Sequence, residues 1–172
     1  MKPPKNIDYF SILKNKADDF LKEENIILDF EGYDELVDKY NNLKEDEKEK
    51  AWELALEINA WIEYISNIVT VLETLYMNSE TEKLMLQSQI SIDFDNKNVS
   101  RGNRYANSSK KVVRQRQKRN IFKSLYDNLL LKKDFLEKAY YHCKMTYELR
   151  MKKEIGNMKD FKNTNKNNEG WY

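Results

Sequence analysis

The chain has 172 residues, is 40% hydrophobic and 34% charged, and carries a net charge of only +1 at pH 7. That length suits one compact domain, or a small domain with a long helical arm. Four glycines and two prolines are too few to turn the strands of a β-sandwich or barrel. No apolar run approaches the ~20 residues of a membrane span, and no signal-peptide core follows Met1. The single cysteine, Cys143, makes no internal disulfide, which fits a reducing compartment. The composition thus points to a cytoplasmic protein, in the host cytoplasm if the gene is viral.

The small total charge conceals a polarised chain. Residues 1–95 hold 22 Asp/Glu and 10 Lys/Arg, a net of −12; residues 96–172 hold 7 Asp/Glu and 20 Lys/Arg, a net of +13. Between Asp95 and Asp127 there are ten basic residues and no acidic one: Lys97, Arg101, Arg104, Lys110, Lys111, Arg114, Arg116, Lys118, Arg119 and Lys123. Such asymmetry points to a polyanionic partner, or to one half of the molecule neutralising the other. Lysine outnumbers arginine 24 to 6 and asparagine occurs 19 times, the mark of an A/T-rich genome such as that of a low-GC bacterium, its phage or a protist. Five of the six arginines nevertheless fall within residues 101–119. Guanidinium is the group suited to planar, bidentate contact with phosphate or carboxylate.

In chain order, Phe10, Leu13, Ala17, Phe20 and Leu21 fall at helical spacing and predict a short amphipathic helix over about 7–24. A brief apolar run, Ile26–Phe30, closes at Gly32. Tyr33, Leu36, Val37 and Tyr40 predict a second short helix ending near Asn41-Asn42. Then Leu54, Ile58, Trp61, Ile65, Ile68, Leu72 and Leu75 recur at 4/3 spacing, an unbroken heptad seam widened by Ala55, Ile62, Val69 and Tyr76. This helix is expected from about Asp46 to at least Met77 and as far as Gln89. Ile90, Ile92 and Phe94 alternate with polar residues and read as a short extended piece, followed by an Asn-, Ser- and Gly-rich loop. A second long helix is expected over about 109–155, stopped at Gly156, with Phe122, Leu125, Leu129, Lys132, Leu136, Ala139 and Cys143 on its seam. The lysine occupies an apolar seat, which costs stability and tends to fix register or oligomeric state.

The pattern predicts an all-α protein, a long antiparallel helical hairpin resembling a coiled coil, with short N-terminal helices across its open end. Its parts are acidic helices over 1–45, the hairpin over 46–156 with a loop at about 90–108, and a disordered polar tail over 157–172. An antiparallel hairpin would bring the cations of residues 110–123 opposite a stretch of the first helix with few acids, leaving most of them unpaired on a positive tip.

No enzymatic signature is present: there is no P-loop, GxGxxG, HExxH or zinc spacing. Asp93, Asp95 and Lys97 resemble the start of a calcium loop, but Asn98 and Arg104 stand where glycine and glutamate are needed. His142 and Cys143 are adjacent and point about 100° apart on a helix. Neither metal nor cofactor is expected, and no enzyme. Trp52 sits off the seam as a candidate anchor for a partner, and Trp171-Tyr172 form an aromatic end to the tail.

The expected function is non-enzymatic binding of nucleic acid, DNA or RNA, through phosphates and with little sequence preference, by a protein of phage or mobile-element origin. The candidate contacts are Arg101, Arg104, Tyr105, Lys110, Lys111, Arg114, Arg116, Lys118, Arg119 and Lys123, with Tyr105 stacking on bases. Two alternatives come from other classes: an adaptor or inhibitor whose acidic half mimics nucleic acid and engages a nucleic-acid-binding protein, and a structural oligomer such as a virion component. Self-association is expected in any case, because a two-helix arm buries little apolar surface alone.

Overall fold

The computed structural model describes residues 9–95 and 97–168, with side chains as far as Ile155. Five helices follow in order: α1 (Tyr9–Glu23), α2 (Tyr33–Asn41), α3 (Lys48–Phe94), α4 (Val99–Ser108) and α5 (Lys110–Asn168). Among the described residues there is no strand, and α3 packs against α5 as a helical hairpin. With 47 residues α3 is about 70 Å long at the standard rise.

The heptad seams form the core of this hairpin. Leu54, Ile58, Ile65 and Leu72 of α3 are buried, and Trp61, Ile68 and Leu75 are half-buried. Phe122, Leu125, Leu129, Leu136, Ala139 and Cys143 of α5 are buried too. Lys132, the odd member of that row, is half-buried with its ammonium 5.2 Å from the centre of the Phe10 ring. The seat is thus filled by the lysine's aliphatic stem, and the ring faces the charge. Beyond Leu75 the buried row of α3 shrinks to Ser79 and Ser91. Ser79 Oγ donates to the Leu75 carbonyl at 2.8 Å, which satisfies a buried hydroxyl locally.

The chain divides into two compact units. One comprises residues 1–29 and 65–132; the other comprises residues 30–64 and 133–172. In the first, α1 lies against the hairpin near its loop. It ends in a Schellman turn: Asn25 takes a left-handed φ of 56°, Ile26 N–H donates to the Leu21 carbonyl at 2.9 Å, and Asn25 N–H donates to that of Lys22 at 3.1 Å. Phe20 meets Phe122 edge to face, with ring centres 6.3 Å apart. The expectation that both N-terminal helices cross the open end is therefore corrected for α1. In the second unit, Gly32 (φ 87°) begins α2, and Phe30, Tyr33, Trp61 and Tyr64 cluster with centroids 5.6–5.9 Å apart. Trp52 packs on Tyr147 at 5.1 Å. It is 40% exposed, so its ring is partly used within its own unit.

Two further boundaries differ from the sequence reading. The stretch read as an extended piece and loop at 90–108 is largely helical. Ile90, Ile92 and Phe94 complete α3, and α4 occupies 99–108 because Gly102 and Ala106 give it a buried face of small residues. A three-residue alternation is too short to distinguish a strand from the end of a helix. The long second helix also passes Gly156 and reaches Asn168. A glycine inside a helix costs about 1 kcal/mol relative to alanine but does not oblige the chain to turn. The expectations for residues 169–172, Trp171 and Tyr172 among them, lie outside the described residues.

Candidate nucleic-acid interface

The turn between α3 and α4 is built by two short polar side chains. Asp95 Oδ1 accepts the backbone N–H groups of Lys97 and Asn98 at 3.1 and 2.9 Å, and Asn98 Oδ1 accepts that of Arg101 at 3.1 Å as the N-cap of α4. Asp95 therefore serves as a turn former. Among the described residues no group of three or more His, Cys, Asp or Glu side chains is placed to hold a metal ion. At the other end of α4, Ser109 is extended and its Oγ accepts the Val112 N–H at 3.3 Å, starting α5.

α4 sits unusually close to α3. A Cβ on Gly102 would lie 2.5 Å from both the carbonyl oxygen and Oγ of Ser91, so only glycine permits this approach. With Gly102 and Ala106 turned inward, Arg101, Arg104 and Tyr105 share an exposed side at i, i+3, i+4 spacing. The Tyr105 ring stacks on Phe94 with centroids 3.9 Å apart and planes 7° from parallel. The Arg101 guanidinium lies over Phe94, 5.7 Å from its centroid. The outer face of Tyr105, a residue 49% exposed, forms the open end of this pile. Phe94 was not foreseen as part of the site, because its place beside Tyr105 depends on the Asp95 turn.

The ten basic residues separate into two groups. The inner group is engaged within the chain. Arg114 pairs with Glu23, and its guanidinium carbon lies 5.4 Å from the Phe20 ring centre. Lys118, with only 12% of its side chain exposed, meets Glu24 at 2.5 Å. Arg119 Nε stands 3.1 Å from Glu80. Lys123 meets Asp127 at 2.7 Å and faces the Tyr76 and Tyr126 rings at 5.5 and 5.4 Å. Arg116 donates to the Asn107 side-chain oxygen at 3.1 Å. A hydrogen bond from Lys83, and behind it the Arg119 charge, hold the Glu80 carboxyl below the usual carboxylate range against the opposing pull of partial burial. Of the ten, only Arg114, Lys118, Arg119 and Lys123 meet a carboxylate among the described residues, so most are free of one as expected; what the sequence did not place is Glu23 and Glu24, at the end of α1, beside Arg114 and Lys118.

The outer group is Lys97, Arg101, Arg104, Lys110 and Lys111. All five are exposed, and among the described residues none of their side chains meets a carboxylate. Lys110 and Lys111 occupy the first turn of α5, which carries no acidic residue. Cations at the positive end of a helix dipole oppose it, and an anion bound there would offset that cost.

Folding also lowers the polarisation seen in the linear sequence. The unit that carries this face has 17 Lys/Arg and 12 Asp/Glu, a net of +5, and the other has 13 and 17, a net of −4. No helix among the described residues is long and apolar enough to cross a membrane. No protein-family model, curated protein or solved structure matches the chain.

Proposed function

We propose that this is a non-enzymatic protein that binds nucleic acid inside the cell through the outer side of α4 and the first turn of α5. The observation that carries this reading is the set of five exposed cations, Lys97, Arg101, Arg104, Lys110 and Lys111, which meet no carboxylate among the described residues and lie along the chain on either side of the half-exposed Tyr105. The cations neutralise phosphates, which gives affinity and position without reading the base sequence. The open face of Tyr105 accepts an unpaired base, extending the Arg101–Phe94–Tyr105 pile, so single strands are bound more tightly than duplex at equal salt. The other five support the surface: Arg114 and Lys118 join α5 to the end of α1, Arg116 joins it to α4, and Arg119 and Lys123 join it to α3.

The direct test is fluorescence anisotropy of labelled single-stranded and duplex oligonucleotides, of DNA and of RNA, titrated with the full chain at low salt. Saturable binding of unrelated sequences with similar affinity supports the proposal. Absence of binding overturns it. In that event the second reading takes over, a protein partner with a basic surface, which is favoured by the 11 Asp/Glu against 4 Lys/Arg in residues 30–64.

A further inference from the structure

The C-terminal part of α3 carries a second row of side chains that its own chain does not cover. Met77, Thr81, Leu84 and Ser88 follow one another at 4, 3, 4 spacing on the side away from the buried row, with Met85 and Ile92 alongside. Met77, Leu84, Met85 and Ile92 are 56%, 53%, 68% and 61% exposed. None of these six positions is charged, in a chain where 34% of residues are. Val99 of α4, 68% exposed, prolongs the apolar strip, and a groove of about 480 Å³ opens between Leu84, Ser88, Ile92, Asp95, Val99 and Asn103. A contiguous apolar patch of several hundred Å² on a protein surface marks an interaction site.

We propose that this face is the interface of a two-fold symmetric dimer, in which α3 of one subunit lies antiparallel to α3 of a second copy. The pattern itself is self-complementary. About a midpoint between Leu84 and Met85, reversal brings Met77 onto Ile92, Thr81 onto Ser88 and Leu84 onto Met85, apolar against apolar and hydroxyl against hydroxyl. An isologous interface requires this relation, because each patch must fit itself under the two-fold axis. The α3 strip itself carries no charge, and the Asp95 carboxylate at the side of the groove already accepts the Lys97 and Asn98 backbone N–H groups, so covering the strip with its own copy strands little unpaired charge. Met77 of the partner subunit would enter the groove beside Ile92, where a flexible thioether can fill an irregular gap. A standard interface takes about 800 Å² from each partner. Met77, Leu84, Met85 and Ile92 supply its apolar contacts, with the Thr81 and Ser88 hydroxyls between them and Asn103 at the edge.

The test is sedimentation of the full chain at tens of micromolar, together with variants. The wild type sediments as a dimer, and Leu84→Glu/Met85→Glu as a monomer of unchanged helical content, since glutamate is a good helix former. Leu131→Glu, a charge introduced at another exposed apolar position, leaves the dimer intact. For the direction of pairing, a mixture of Met77→Cys and Ile92→Cys chains forms an intersubunit disulfide under mild oxidation, while Met77→Cys alone does not. In the antiparallel arrangement two copies of position 77 are about 22 Å apart. The native Cys143 is buried and does not interfere. A monomeric wild type overturns the proposal, as does a dimer that survives the double glutamate or dissociates equally with Leu131→Glu. Cross-linking of Met77→Cys to itself would overturn the antiparallel pairing.

Discussion

The ammonium of Lys118 lies 2.5 Å from the carboxylate of Glu24, joining the end of α1 to α5. With the neighbouring Arg114–Glu23 pair it turns what reads in the sequence as free positive charge into a fixed contact. The cations therefore have two roles. Those on the outer side of α4 and at the start of α5 are available to an anion, and those one to three turns further along α5 hold the fold.

Variants should separate these roles. Lys118→Gln/Arg119→Gln should lower stability by about 1–2 kcal/mol, as partly screened ion pairs do, visible as a lower urea midpoint. Its nucleic-acid affinity should keep nearly the wild-type salt dependence. A flattened salt slope with unchanged stability would place these two residues on the binding surface instead.

Gly102→Ala should destabilise the chain by about 1–3 kcal/mol, because the added methyl would lie 2.5 Å from Ser91 Oγ and from its backbone carbonyl oxygen. Removing the hydroxyl with Ser91→Ala in the same chain should restore only part of that loss, since the carbonyl remains. Denaturant unfolding of the two variants checks both statements; a Gly102→Ala chain as stable as wild type would mean that α4 does not sit this close.

Tyr105→Ala should weaken single-strand binding by about 1–3 kcal/mol, the range for one base stacked on an aromatic ring, and duplex binding by less. Tyr105→Phe should retain most of the affinity, because it keeps the ring. Anisotropy titrations of both variants at one fixed salt concentration decide this, and equal losses on single strands and duplex would remove the stacking role.

Alkaline pH should weaken the fold. Burial pushes the Cys143 thiol from its ordinary 9.0 up to about 11. Burial, with the Asp34 charge adding to it, pushes the Tyr33 hydroxyl from 10.0 up to about 12. Both groups hold their proton more tightly when folded, so their contribution is complete below about pH 9. It is lost as pH rises from 9 to about 11 for the thiol and from 10 to about 12 for the phenol. The urea midpoint should thus fall between about pH 9 and about pH 11, and Cys143→Ala should shallow the first part of that fall. A midpoint constant to about pH 11 would show that neither group is buried as described.

The hairpin was legible because its two seams are long and strictly spaced: Leu54 to Leu75 and Phe122 to Cys143 contain enough periods to outweigh local ambiguity. α4 was not legible. Its Asn, Ser and Gly content resembles a loop, and its helix depends on Gly102 approaching Ser91, a contact between residues eleven apart whose geometry needs the Asp95 turn first. The candidate site was half legible. Arg101, Arg104, Tyr105, Lys110 and Lys111 stand exposed as expected from the charge run. The pairing of Arg114 and Lys118 with Glu23 and Glu24 was not, because the chain direction after α1 is set by the left-handed Asn25, and the spacing of apolar residues does not report it.

Phosphate neutralisation by the outer cations is read from the salt dependence of nucleic-acid affinity for the wild type and for Arg104→Gln/Lys110→Gln/Lys111→Gln. With about five phosphates neutralised, log K should fall with log[salt] at a slope of about −3.5 on single strands and −4.5 on duplex. The triple variant should flatten both slopes by about 2 to 3 units while keeping its helical content. A wild type without affinity at low salt, or a triple variant whose slopes match the wild type, would mean that these cations do not neutralise phosphates.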